Sequence, residues 1–127
     1  MFDHTGITVT HFERSKVFYT SALSALGLGI SKAPPGERVG FGNLQKTGLE
    51  LAAETFWITV GIPYVPRTHI AFRARSEEEV VAFYHAALKA GGRDNGLPGL
   101  RPQYGAGYYA AYVLDPDGYN IEAVYRY

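Results

Sequence analysis

The sequence predicts an α+β fold: two tandem βαβββ modules, residues 1–62 and 63–127, forming a curved, cup-shaped mixed sheet with the helices outside. Three observations predict it. The chain twice runs from an alternating strand pattern, through a helical one, into further strands. An ungapped offset of 65 takes His4 to His69, Phe18-Tyr19 to Phe83-Tyr84, Ala22-Leu23 to Ala87-Leu88 and Gly27 to Gly92, a duplication specific in register. Each half has one long helix, so it covers one sheet face and leaves the other bare. Two such units side by side place their bare faces around a hollow.

The elements follow in order. Phe2 to Thr10 alternates, with Ile7 and Val9 on one face and His4, Gly6, Thr8 and Thr10 on the other. Thr10 and Glu13 have capping-box spacing, and a helix is expected to about Leu26, ended by Gly27 and Gly29. Ala33-Pro34-Pro35-Gly36 is a turn and Arg38 to Gly42 a short strand. Leu44 to Glu54 reads as a loop or as a strand around Leu49 to Ala53; Phe56 to Val60 reads as strand, and Gly61 to Pro66 as linker. The pattern then restarts. Arg67 to Ala74 is a strand, Ser76 and Glu79 repeat the capping-box spacing, and a helix runs to about Ala90 before Gly91-Gly92. Asp94-Asn95-Gly96 and Pro98-Gly99 mark a loop. Tyr108 to Tyr125 closes the chain as a hairpin around Asp115-Pro116-Asp117-Gly118, where Pro and Gly suit the turn and Asp bonds its own backbone.

Composition sets the class. A chain of 127 residues fits one compact domain or two fused modules, and 46% apolar with 19% charged residues is ordinary for a globular protein. The formal net charge is zero with Lys and Arg scattered, which argues against a nucleic-acid surface. There are no cysteines, which excludes disulfides, thiolate metal sites and a Cys nucleophile, and fits a reducing cytoplasm. No secretory signal pattern and no apolar run near the ~20 residues of a membrane helix is present, so a cytoplasmic protein off the membrane is expected.

Parity puts Glu122 mid-strand on the more polar face of the last strand, and His4 and His69 on the corresponding faces of theirs. A carboxylate is costly to bury unless it is paired or binds a metal. Pairing with Arg73 or another base is the plain alternative. Tyr108, Ala110, Tyr112 and Leu114 share a face and wall the pocket if that face is the cup; otherwise Tyr109, Ala111 and Val113 line it. Arg101 and Tyr104 lie in the segment leading into the hairpin, where Arg suits a carboxylate or phosphonate and Tyr a hydrogen bond; a solvated loop is the alternative. His11 and His85 read as helix-associated surface residues.

With the βαβββ repeat, the opening Asp3-His4, the His69-Ile70-Ala71-Phe72 run and the ending DPDGYNIE, the chain resembles the vicinal-oxygen-chelate superfamily over nearly its whole length. That superfamily includes glyoxalase I, extradiol dioxygenases, and the fosfomycin- and bleomycin-resistance proteins. The resemblance implies a divalent metal (Zn, Ni, Mn or Fe(II)) on His4, His69 and Glu122. Two imidazoles and a carboxylate form a facial triad with open positions for substrate or water. Glyoxalase I members generally add a Glu from the first half. Here the offset places Trp57 at that position, an indole lining the cup, while Glu50 is the alternative fourth ligand if a gap is allowed.

The expected function is that of a glyoxalase-like lyase or isomerase, acting on a small substrate with vicinal oxygens through a metal-stabilised enediolate. Glu122 would be the catalytic carboxylate, with Glu50, if it reaches the cup, or metal-bound hydroxide as the alternative base, and Trp57, Arg101, Tyr104 and Tyr108 the substrate-binding residues. The alternatives are an Fe(II)-dependent dioxygenase and a metal-free small-molecule or antibiotic binding protein of bleomycin-resistance type. A homodimer is expected because each half exposes sheet edges, with the cup closed within one chain or across two.

Overall fold

The computed structural model describes residues 1–127, with 51 and 52 described by backbone alone. In the first half, β1 (His4–Val9), α1 (Phe12–Ser24), β2 (Leu28–Lys32), β3 (Arg38–Asn43), α2 (Gly48–Ala52) and β4 (Thr55–Val60) build a sheet of order β1-β4-β3-β2. In the second, β5 (His69–Arg73), α3 (Glu77–Lys89), β6 (Arg93–Leu100), β7 (Tyr108–Leu114) and β8 (Asn120–Arg126) build a sheet of order β5-β8-β7-β6. Both sheets are mixed: the first strand of each half pairs in parallel with the last, and the remaining pairs are antiparallel. The fold is the expected α+β pair of βαβββ units.

The duplication holds at the level of register. His4 pairs with Thr55 as His69 pairs with Asn120, and Gly6 faces Trp57 as Ala71 faces Glu122. The two long helices each have 13 residues, at positions separated by the same offset. Their buried faces carry Phe18, Tyr19, Ala22 and Leu23 in α1, and Val80, Phe83, Tyr84 and Ala87 in α3. These meet Ile7, Val9, Val39, Phe41, Phe56 and Ile58 of the first sheet and Ala111, Val113, Ile121 and Ala123 of the second in one core. One face of each sheet therefore turns inward, and the face with His4 in one and Glu122 in the other turns away from that core.

Polar contacts fix the two halves to each other. The Tyr19 hydroxyl, buried in α1, donates to Asp115 Oδ2 at 2.5 Å. Asp115 Oδ1 accepts from the backbone N–H of Asp117 and of Tyr119, each at 2.9 Å, which closes the expected turn, and Gly118 takes φ 91°. Burial raises the Asp115 carboxyl above its ordinary range, against the lowering effect of the Tyr19 hydroxyl. The Tyr119 hydroxyl donates to Thr8 O at 2.7 Å and accepts from Tyr64 N at 2.9 Å.

Several local expectations are corrected. Leu28–Lys32, to which the sequence pattern assigns no element, is a strand. Residues 93–100, expected as a loop, form edge strand β6, which tolerates Pro98 because an edge needs fewer ladder donors, and its register breaks around Gly96. Gly48–Ala52 is a short helix, neither loop nor strand. The capping box expected at Thr10 is absent: α1 starts after His11, which makes no side-chain cap, while Thr10 N donates to Asp117 Oδ2 at 3.0 Å. At α3 the cap forms, with Ser76 Oγ accepting from Glu79 N at 3.1 Å and Glu79 accepting from Arg75 N at 2.8 Å.

Candidate functional site

The outward face of the second sheet gathers the polar chemistry. Glu122 lies mid-strand in β8, between Ala71 of β5 and Tyr112 of β7. It is 2% exposed. Its Oε1 is 2.9 Å from His69 Nε2, and its Oε2 accepts a short hydrogen bond from the Tyr108 hydroxyl. The alternative pair with Arg73 does not form; His69 takes that place. His69 Nδ1 lies 2.8 Å from the Asn120 carbonyl oxygen. A carbonyl can only accept, so Nδ1 carries a proton, and Nε2 is turned to the carboxylate. At 2.9 Å Nε2 meets that oxygen either as a donating N–H or as a lone pair with a cation between the two. Fixing Nδ1–H on a backbone carbonyl is also how metal-ligating histidines are oriented. His69 and Glu122 thus fit a divalent ion by their donor set and by the orientation of the ring.

Aromatic side chains wall this pair. Tyr108, Ala110, Tyr112 and Val124 form a small apolar cluster on the Glu122 face, so it is the first of the two faces of β7 weighed above that Glu122 shares. Tyr112 stacks on His69 with centroids 6.3 Å apart and planes at 28°. Burial, then the Glu122 carboxylate, hold the Tyr108 phenol well above its ordinary value; the same two causes raise Tyr112. Tyr108 therefore keeps its proton at neutral pH. At the rim the Arg101 guanidinium lies 5.3 Å from the Tyr112 ring centre, and Tyr104 packs 5.4 Å from Tyr108. Arg101 is also tied to its own loop, donating to Leu97 O at 2.6 Å.

His4 stands elsewhere. Its Nδ1 is 2.7 Å from Asp3 Oδ1, and both side chains are exposed. With Asp3, Lys32, Arg38 and Trp57 it lines a hollow of about 510 Å³ on the first sheet. Among the described residues no three His, Cys, Asp or Glu side chains gather closely enough to share an ion within one chain. Trp57 belongs to the His4 hollow, and Glu50 is exposed on α2 beside Lys46, Glu54, Arg73 and Arg75. His11 and His85 are exposed on the helices. Sequence reasoning singled out neither Lys32 and Arg38 nor the Asn120 carbonyl. The carbonyl could have been found from the parallel pairing of β5 with β8.

This duplicated fold, with a polar pair on a bare sheet face, defines the class of protein. The model of the glyoxalase/bleomycin resistance protein/dioxygenase superfamily matches residues 1–123, and the chain belongs to that superfamily. Among solved structures, a glyoxalase/bleomycin resistance protein from Albidiferax ferrireducens is 32% identical, with TM-score 0.81 and coverage of 100% of this chain and 99% of that one. A glyoxalase-related enzyme from Fulvimarina pelagi is 18% identical, with TM-score 0.70 and coverage of 99% and 88%. A glyoxalase I mutant from Zea mays is 20% identical, with TM-score 0.65, matching 97% of this chain and 46% of that one. No curated protein matches the chain. No helix is long and apolar enough to cross a membrane.

Proposed function

We propose that the chain is a glyoxalase-like, metal-dependent enzyme that works as a homodimer on a small substrate with adjacent oxygens. The observation that carries this is the His69–Glu122 contact: a ring nitrogen and a buried carboxylate oxygen 2.9 Å apart, with the other nitrogen committed to Asn120. His4 has the same design, with Nδ1 on Asp3 and Nε2 left to ligate. A second copy that lays its first sheet against this one's second sheet would add its His4 and complete a two-histidine, one-carboxylate set. A divalent cation held there supplies Lewis acidity towards the substrate's oxygens. Glu122 is the group placed to take a proton from substrate carbon, steadied at Oε2 by Tyr108. Tyr112 and Tyr108 exclude water, and Arg101 and Tyr104 meet polar groups of the substrate at the rim. A chain without cysteines suits a reducing cytoplasm.

A second reading, a metal-free binding protein, is favoured by one observation: both Glu122 oxygens already have partners within the chain. Elemental analysis of protein purified without chelator separates the two. The enzyme reading expects about one divalent ion per chain, lost in Glu122→Gln and in His4→Ala; the metal-free reading expects none in any of them. Oxygen uptake after loading with Fe(II) identifies the dioxygenase alternative.

A further inference from the structure

The hollow on the first sheet is more than a place where His4 rests. Trp57 occupies the repeat position of Glu122, yet it carries cations: Arg38 lies 4.7 Å above the indole ring centre and Lys32 5.9 Å. The sheet is cut away around this ring. Both strand neighbours of Trp57 in register are glycines, Gly6 in β1 and Gly40 in β3. A Cβ at Gly40 would meet the indole at 3.2 Å and Thr55 at 2.7 Å. A Cβ at Gly6 would come within 2.9 Å of the Trp57 carbonyl oxygen. Gly40 thus leaves room for the indole and the Thr55 methyl, and Gly6 for the Trp57 backbone. The register shift between Ile30 and Lys32 then brings Lys32 opposite Gly40, beside the same ring. Two cations, a flat aromatic support and an open hollow make a receiver for a negative group, since a guanidinium stacked on an aromatic ring keeps its N–H edge for a carboxylate.

We propose that Arg38, Lys32 and Trp57 form a binding site for the carboxylate of a small organic acid. The site itself stands on the geometry of one chain. Its place next to a metal rests on the reading above, because His4 lines the same hollow and would carry it to the partner's His69 and Glu122. On that reading the substrate class is narrowed to acids with a carboxylate close to the adjacent oxygens.

Trp57 is the single tryptophan of the chain, so its fluorescence reports on this hollow alone. The test titrates the intact protein with malonate, and with neutral malonamide, at constant ionic strength and with excess chelator. Malonate is expected to change the emission saturably and malonamide to leave it unchanged. Arg38→Gln is expected to weaken malonate binding about tenfold, as loss of a charged hydrogen bond does, and Arg38→Lys to restore part of it. Arg38 is exposed, so these variants should fold; calorimetry of malonate binding to Trp57→Phe supplies a readout without the fluorophore. Glu122→Gln is expected to bind malonate as wild type does, which keeps this test apart from that of the metal centre. Equal responses to malonate and malonamide, no response to either, an unchanged affinity in Arg38→Gln, or loss of malonate binding in Glu122→Gln would overturn the proposal.

Discussion

The two halves of the molecule share a backbone and differ on their bare faces. At matched positions the first sheet has His4, Trp57 and Gly6, and the second has His69, Glu122 and Ala71. The strand beside Trp57 offers Gly40 where the strand beside Glu122 offers Tyr112. The second face therefore buries an acid between an imidazole and a phenol, while the first opens a floor under an indole with two cations. The inward faces are alike: aromatic residues of both helices meet aliphatic and aromatic strand residues in one core. The duplicated register is kept by packing, where a one-residue slip would expose the core face. The outward faces carry no such constraint and differ in their side chains.

The largest break in this comparison is expected at the paired positions 57 and 122. Glu122→Gln should lower metal affinity by more than about a hundredfold, beyond the range for partners one step removed from a metal, while Trp57→Phe should leave metal content unchanged. Metal content after dialysis against buffered metal checks both.

The next contrast lies between Asp115 and Glu50, its match under the offset. Asp115 is buried and accepts from Tyr19, Asp117 and Tyr119; Glu50 is exposed on α2. Asp115→Ala should cost about 2–4 kcal/mol in denaturant unfolding, because it strands buried donors, and Glu50→Ala less than about 0.5 kcal/mol.

The Tyr19 phenol adds a pH signature. Burial first, and then the Asp115 charge, hold it well above the ordinary tyrosine value. A group raised in the folded state gives stability that is full below the unfolded value, about pH 10, and falls as pH rises towards the folded one. Tyr19→Phe should therefore lose stability less steeply than wild type above about pH 10, as seen in urea unfolding at a series of alkaline pH values.

The smallest contrast is at the helix starts, where His11 and Ser76 are the matched N-caps. Ser76→Ala should cost about 1 kcal/mol, and His11→Ser should gain about 0.5 kcal/mol, since His11 already has the extended backbone a cap needs. Thermal unfolding of the two variants tests the pair.

Much of this was legible in the chain itself, and for identifiable reasons. Strand parity separated Ile7 and Val9 from His4, and Ile121 and Ala123 from Glu122, because alternation maps directly onto the two faces of a strand. The turn at Asp115 and the cap at Ser76 are local hydrogen-bond patterns. Leu28–Lys32 was missed because its alternation rests on only two apolar residues, Leu28 and Ile30, and Gly29 reads as part of the helix end. Residues 93–100 were missed because Pro98 and two glycines, Gly96 and Gly99, disguise an edge strand, and α2 is too short to display a helical period. The contact of His69 with Glu122 needs the pairing of β5 with β8, and the cations over Trp57 need the register break in β2; neither is a property of one strand. How the halves dock, and hence that His4 stands apart from His69 and Glu122 within one chain, is tertiary information.

The proposed enzyme shares a divalent ion between His4 of one copy and His69 and Glu122 of another. Mixing unfolded His4→Ala and Glu122→Gln chains in equal amounts, refolding them together and measuring bound metal tests it directly. Each variant alone should bind none. The mixture should recover about a quarter of the wild-type sites, because half of the dimers are mixed and each mixed dimer has one intact centre. No recovery from the mixture, or full metal content in either variant alone, would contradict it.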